Sequence, residues 1–135
     1  MQVTLGLHRA GLVSARSTAV LDGAIRRTWT ETGGRVARLG GGLRGIGVER
    51  YDRVAVLMLN SHRYLELYYA LPWIGALVMP LNIRLSAKEI LEQLGDAEAR
   101  VLVVDDAFAR MLPALAGQMP LLQAISKTNS AKVDL

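Results

Sequence analysis

The sequence predicts an α/β protein with a partial doubly wound sheet, mainly parallel, with helices on both faces and an N-terminal β-hairpin. Three observations support this fold class. Short β-prone runs alternate with segments of helical periodicity, which implies right-handed crossovers between parallel strands. Within residues 53–59 and 101–104 the apolar side chains run without alternation, as in strands whose two faces are both covered. Asp22 and Gly23 separate two further β-prone runs, a pairing typical of a hairpin turn.

The N-terminal part is predicted to hold a lead-in helix, the hairpin and one long helix. Residues 1–18 form the lead-in, and residues 19–21 and 27–29 are the hairpin strands. Thr30 is expected to cap the long helix through its side-chain oxygen, and Gly47 is a natural stop. The apolar residues at helical spacing define the buried face of this helix: Val36, Leu39, Leu43 and Ile46.

The middle of the chain is predicted to form strand, helix and strand. The strand at residues 53–59 is followed by Ser61, which is expected to cap the helix. The next strand occupies residues 77–81. The side of the helix expected to carry its apolar residues is Tyr64, Leu65, Tyr68 and Leu71.

The last third continues the alternation. Ser86 and Glu89 match a capping box at the start of a third helix. The strand at residues 101–104 and a short strand at residues 121–125 follow, and residues 126–135 form a polar tail. The third helix is expected to bury Ile90, Leu91 and Leu94. Asp105 and Asp106 should begin a further helix through Phe108, Met111 and Leu112, which Pro113 kinks or restarts. Residues 19–125 are thus predicted to be one partial subdomain.

Composition and charge exclude several classes of protein. Hydrophobic residues make up 51% of the chain, unlike a disordered protein, and cysteine is absent, which fits a cytoplasmic location. Residues 1–53 contain nine arginines and four acidic residues, but without a run or interleaved aromatics. A solvated surface is therefore expected rather than a nucleic-acid partner. Residues 67–83 lack charge, but two prolines and a glycine interrupt them, so no membrane span is predicted.

Several residue patterns could carry chemistry, and each also has a structural explanation. GGGLRG at residues 40–45 satisfies the G-x-G-x-x-G phosphate pattern, with Glu66 at the distance of a ribose ligand, but it precedes a strand and lies within a helical stripe. His8 and His62 lack partners at metal-ligand spacing. The pair Asp105-Asp106 could bind Mg²⁺ or act as acid and base, although a helix start favours a capping role.

Three polar residues stand where two neighbouring strands should end. Asn60 and Ser61 follow one strand and Asn82 follows the next. Open α/β sheets bind ligands beyond the carboxyl ends of their strands, so these residues could face a ligand. Asn and Ser are also ordinary turn and cap residues, and this structural role is favoured. The sequence therefore assigns no catalytic, cofactor-binding or metal-binding residue.

Four collinear segments closely resemble the start of the AMP-forming acyl-CoA ligases, an adenylating superfamily. AVLDGAIRRTWTETGGRVARLGGGLRGIGV is similar to the hairpin and first helix of that family, including its Thr-aromatic pair at Thr28 and Trp29. DRVAVLMLNS is similar to the first buried strand and turn, LPWIGALVMPLN to the second core motif, and IRLSAKEILEQLGDAEARVLVVDD to the next helix and strand. The glycines at residues 33–34 and 40–42 replace better helix formers.

The resemblance implies an activity and also a lack of the parts that perform it. The family forms an acyl-adenylate from a carboxylate with ATP and Mg²⁺ and then transfers the acyl group to CoA, as in fatty acid metabolism. Its phosphate loop, its adenine and Mg²⁺ motif, its ribose Asp and its catalytic Lys have no counterpart in this sequence. The chain is therefore expected to be an N-terminal fragment that is inactive alone, whether from a truncated gene, a split gene or a deliberate truncation.

Two other hypotheses remain open. The chain could be a non-catalytic interaction module, since an α/β domain cut at this point should leave sheet and helix surfaces uncovered. Its partner would then be the rest of a ligase or a second copy. A weaker alternative is a nucleotide binder that uses the crevice between Asn60 and Asn82. In each case the uncovered apolar surface predicts a marginally stable or molten chain.

Overall fold

A four-stranded parallel sheet forms the centre of the computed structural model, which describes residues 3–116, 118 and 123–126. The strand order is β4-β3-β5-β6, and every neighbouring pair is parallel. A separate antiparallel hairpin pairs β1 with β2. The elements in chain order are α1 (Leu5–Val13), β1 (Thr18–Asp22), β2 (Ile25–Thr28), α2 (Trp29–Gly45), β3 (Arg53–Leu57), α3 (His62–Ile74), β4 (Leu77–Pro80), α4 (Ala87–Asp96), β5 (Val101–Val104), a 3₁₀ helix (Asp106–Met111), α5 (Leu112–Ala116) and β6 (Gln123–Ser126).

Alternate residues of the central strands point to opposite faces of the sheet. Val54 and Val56 of β3 join the core beneath α2 and α3, whereas Ala55 and Leu57 join the core beneath α4 and α5. β5 divides its side chains in the same way, and all four of its residues are buried. Helices on both faces of a parallel sheet confirm the predicted doubly wound α/β fold class.

The start of α2 differs from the prediction. Thr28, not Thr30, is the N-cap: its Oγ1 accepts from the Glu31 N–H at 3.3 Å, and the Glu31 carboxylate accepts from the Thr28 N–H at 2.7 Å. The helix therefore begins at Trp29, which was predicted to end the hairpin. Thr30 lies in the first turn, where its hydroxyl donates to the Ala15 carbonyl at 3.1 Å. The spacing of Thr28 and Glu31 is itself a capping-box pattern.

The hairpin turn and the end of α2 both use glycines with positive φ. Asp22 pairs with Ile25, which leaves a two-residue turn in which Gly23 has φ +57°. Gly47 has φ +93°, its N–H donates to the Arg44 carbonyl, and the predicted stop is confirmed. Glycine enters this left-handed region without the steric cost that a Cβ imposes.

The buried face of α3 also differs from the prediction. Leu71 is buried, but Leu65 and Tyr68 are exposed and Tyr64 is half-buried. The buried face consists of Glu66, Leu67, Ala70, Leu71 and Ile74. This face packs on the sheet and α2. The sequence did not predict it because it contains Glu66, and a glutamate usually faces solvent.

The remaining predictions agree with the structure apart from strand ends and Ile46, which is half-buried and caps the end of α2 instead of lying on its buried face. Ser61 and Ser86 cap α3 and α4, Ile90 and Leu94 are buried, and Leu91 is half-buried. β3 and β4 end two and one residues earlier than predicted. The helix expected after β5 starts as a 3₁₀ helix and restarts as α5 one residue before Pro113. Ser126 belongs to β6, whereas residues 121–122 and 127–135, part of the predicted strand and tail, lie outside the described residues.

Candidate functional site

The carboxyl ends of β3 and β5 mark the point at which the order of successive strands reverses direction across the sheet. The chain passes from β3 to β4 on one side and then crosses to β5 on the other side of β3. The Asp105 N–H donates to the Leu57 carbonyl at 2.9 Å, which holds the two strand ends together. Open α/β sheets bind ligands at such switch points, so this edge is the first place to search for a site.

An open cavity of about 400 Å³ lies at the end of β3 and beside the first turns of α3. The Ser61 hydroxyl that borders it accepts from the Tyr64 N–H at 3.3 Å and serves the helix cap. The rings of Tyr64 and Tyr68 meet edge to face with centroids 5.0 Å apart. The lining consists of Asn60, Ser61, Tyr64, Leu65 and Tyr68. This lining is largely apolar and aromatic, with the exposed Asn60 as its main uncommitted polar group.

Tyr64 is not a base at neutral pH. Burial, together with the contact to Tyr68, raises the pKa of Tyr64 to about 12. Its hydroxyl therefore stays protonated under physiological conditions and can donate or accept a hydrogen bond. The cavity thus offers packing and hydrogen bonding rather than acid–base chemistry.

Asn82 does not line this cavity, although β3 and β4 are neighbours as predicted. Its Oδ1 accepts from the Arg84 N–H at 3.0 Å, a turn-forming bond that an Asn side chain commonly makes. Asn60 and Ser61 therefore come together at the sheet edge, and Asn82 serves the following turn.

The two aspartates after β5 stand at the start of the 3₁₀ helix. Asp105 caps the 3₁₀ helix, and its Oδ1 accepts from the Ala107 N–H at 3.2 Å. Within the part of the chain that the structure describes, no three His, Cys, Asp or Glu residues converge to hold a metal ion. The capping role that the sequence favoured is therefore observed for Asp105.

The glycine pattern at residues 40–45 is part of α2 and does not fit ATP. Its backbone N–H groups lie within the helix instead of in a loop that could surround a phosphate. A Cβ on Gly40 would lie 3.0 Å from Ile74 Cγ2 and 3.5 Å from Trp73 Cδ1. Gly40 therefore lies at a close contact between α2 and α3.

Glu66 is a buried ion-pair partner rather than a ribose ligand. Its side chain is 3% exposed, and Arg35 binds both of its oxygens, at 2.6 Å from Nε and 3.0 Å from Nη2. Arg27 Nη1 donates to the same Oε1 at 2.8 Å. This cluster joins β2, α2 and α3. Sequence analysis missed it because the partners lie 39 and 31 positions apart, where no local pattern reveals them.

Both histidines have structural contacts. The Nδ1 atom and backbone N–H of His62 lie 2.7 Å and 2.9 Å from the same oxygen of Asp22, so the hairpin turn is fixed to the start of α3. These hydrogen bonds hold the pKa of Asp22 below its usual range, and the bond from the His62 backbone N–H contributes most. His8 stacks on Trp73 with ring centroids 4.6 Å apart.

The sequence profile of the AMP-binding enzyme family matches residues 7–134, nearly the whole chain. The chain belongs to this family. It is 43% identical over 121 residues to a long-chain-fatty-acid–CoA ligase of Thermus thermophilus, a match that covers 87% of this chain and 22% of that relative. It is 42% identical over 108 residues to a feruloyl-CoA synthase of an Amycolatopsis species, covering 80% of this chain and 22% of the relative.

Solved structures of the family show the same fold. The N-terminal domain of FACL13 from Mycobacterium tuberculosis superposes with a TM-score of 0.90 at 26% identity, over 97% of this chain and 35% of that domain. A structure described as a long-chain-fatty-acid CoA ligase from Rhodopseudomonas palustris gives a TM-score of 0.86 at 29% identity, over 93% and 32%. The chain thus aligns with one segment of these acyl-CoA ligases and spans about a fifth of the length of the curated relatives it matches.

The described cavity at the end of β3 contains no phosphate-binding loop, and the described carboxylates do not gather for a metal. Among the helices that the structure describes, none combines the length and apolar character needed to cross a membrane.

Proposed function

We propose that the chain is a segment of an AMP-forming acyl-CoA ligase that activates a carboxylate with ATP and Mg²⁺ and transfers the acyl group to CoA. The observation that carries the proposal is the family match over residues 7–134. The relatives' names support the reaction class, since they describe ligation of long-chain fatty acids, butyrate and benzoate to CoA. These acids differ in size and polarity, so the proposal specifies a carboxylic acid and CoA but no particular acyl chain. The absence of cysteine supports a cytoplasmic setting.

The segment's role in this proposal is structural. It supplies the sheet with its two covered faces, and none of its residues is assigned a catalytic, cofactor-binding or metal-binding role. Acyl-adenylate formation depends on preorganised charge around the transferred phosphoryl group. We therefore expect the isolated chain to give no ATP–pyrophosphate exchange above a no-protein control with palmitate, butyrate, benzoate or ferulate.

A chimera gives the positive test. The matched segment of the Thermus thermophilus ligase is replaced by this chain, and ATP–pyrophosphate exchange is measured with palmitate. Activity in the chimera supports the proposal, because only a true counterpart can pack against the rest of that enzyme. The matched control carries Leu67→Asp in the buried face of α3, which must abolish activity. A folded chimera without activity, or turnover by the isolated chain, would contradict the proposal.

A second candidate is an interaction module, favoured by the exposed apolar side chains beside the cavity. Leu59, Leu65 and Tyr68 are 44%, 39% and 36% exposed, and the last two line the cavity together. A partner that covers them would be the remainder of a ligase or a second copy of the chain. Light scattering after size exclusion, with an apolar dye, tests this: a clean monomer that binds no dye counts against the module.

A further inference from the structure

Four arginines that are scattered in the sequence line one surface cavity between the hairpin and α2. Arg26 and Arg27 come from β2, and Arg35 and Arg38 come from α2. The cavity has a volume of about 500 Å³, and Thr30, Glu31 and Gly34 complete its lining. The sequence predicted only a solvated surface, because the arginines converge only once the hairpin folds against α2.

Two of these guanidinium groups are held in position by a buried carboxylate. Glu66 binds Arg35 through two hydrogen bonds and Arg27 through one, at 2.6–3.0 Å. The Arg35 and Arg27 side chains nevertheless remain 28% and 19% exposed. A guanidinium that is already fixed loses little conformational freedom when a ligand binds it, which favours affinity.

The other two guanidinium groups have no carboxylate partner. Arg26 Nε donates to the neutral Thr18 hydroxyl at 3.0 Å. Arg38 forms neither an ion pair nor a hydrogen bond with the residues that the structure describes, and its Nη1 lies beside Gly34.

Among the described residues, the carboxylates at this cavity are Glu66, which binds two of the arginines, and Glu31, which accepts from the Thr28 N–H at the start of α2. Among the residues that the structure describes, Arg26 and Arg38 form no ion pair, so the positive charges of these two guanidinium groups are not paired at the cavity.

We propose that this cavity binds a small phosphorylated anion. These two unpaired charges match a phosphoryl dianion, and guanidinium forks bind phosphoryl oxygens through paired hydrogen bonds. A phosphoryl group also presents oxygens on several sides, which suits arginines that approach from two different elements. The volume accommodates a group larger than inorganic phosphate, so pyrophosphate is the probe.

Isothermal titration of the 135-residue chain with pyrophosphate tests the proposal. The expected result is one saturable site whose affinity falls with added salt. Arg38→Ala should weaken binding by about tenfold or more, which corresponds to the loss of one charge-assisted contact. Arg38→Lys should also weaken binding, because it keeps the charge but loses the fork. Arg44→Ala is the matched control: Arg44 lies exposed on the same helix and outside the cavity.

A second measurement applies even where the chain is only marginally folded. A ligand that binds the native state raises its stability by mass action, so pyrophosphate should raise the urea midpoint of the native chain and of Arg44→Ala but not of Arg38→Ala. The proposal is overturned if pyrophosphate does not bind, if Arg38→Ala binds as tightly as Arg44→Ala, or if anionic lipid vesicles bind at this cavity in preference to pyrophosphate.

Discussion

Replacement of Glu66 by Gln should destabilise the fold more than any other single change of one charge in the described chain. The carboxylate is 3% exposed and accepts three hydrogen bonds from two guanidinium groups. Glutamine keeps one oxygen for the bonds at Oε1 but places an amide N–H₂ opposite the Arg35 Nη2 donor. The variant thus loses the ion pairs and creates a donor-to-donor contact in a buried position.

The magnitude follows from the burial of the three groups. Breaking a fully buried ion pair by removal of one partner costs roughly 3–5 kcal/mol. The two arginines can still reach solvent, since their side chains are 19% and 28% exposed, which lowers the cost. We expect a loss of about 2–4 kcal/mol in the free energy of unfolding, a large share of the roughly 5–15 kcal/mol typical of a domain.

Urea denaturation followed by near-UV circular dichroism at Trp29 and Trp73 measures this loss. The matched control is Glu98→Gln, which makes the same chemical change in the Arg53–Glu98 pair, where the side chains are 48% and 82% exposed. Exposed pairs contribute little, so the control should leave the midpoint nearly unchanged. A Glu66→Gln variant as stable as Glu98→Gln would refute the reasoning, because the cluster would then be a passive contact.

Three further predictions concern packing, pH and overall stability. Gly40→Ala should lower the urea midpoint because its Cβ would lie 3.0 Å from Ile74 Cγ2, whereas Gly41→Ala, with nothing within 4 Å, should raise stability by about 0.5–1 kcal/mol. The pKa of Asp22 is lowered in the folded chain by His62, so its contribution is present above the unfolded value and is lost as the pH falls through the folded pKa. The native chain should therefore be more stable than Asp22→Asn at neutral pH and lose this extra stability below about pH 4. Urea midpoints of both chains at pH 7 and pH 3 measure the difference. The exposed apolar residues predict a marginal chain, so a cooperative transition with a midpoint above about 3 M urea would contradict this expectation.

Local sequence patterns predicted those parts of the fold that depend on interactions between residues close in sequence. The apolar run at residues 101–104 lies between Arg100 and Asp105, and its bounds match β5. Ser61 and Ser86 cap helices because their side chains satisfy backbone N–H groups within the same turn. The class of fold followed from the alternation of such elements.

Contacts between distant residues could not be predicted in this way. The true face of α3 contains Glu66, and a glutamate argues for a solvent-facing position until its arginine partners are known. The arginine cavity could not be predicted for the same reason, because Arg26 and Arg38 come together only through the packing of the hairpin on α2. At the candidate site, Asn60 and Ser61 were found because a strand end is a local signal, whereas Tyr68 was assigned to the core.

The three sides of α3 explain how this segment can bury a core of its own and still present an apolar surface. One side packs Leu67 and Leu71 on the sheet, and a second holds the hairpin through His62 and Glu66. The third side carries Tyr68 and its exposed neighbours to the cavity at the end of β3. The first two sides are engaged within the segment, so the third is the side that the proposed role in a ligase would bury. A surface that is apolar, adjacent to a sheet switch point and fixed by a buried ion cluster suits such packing better than it suits solvent.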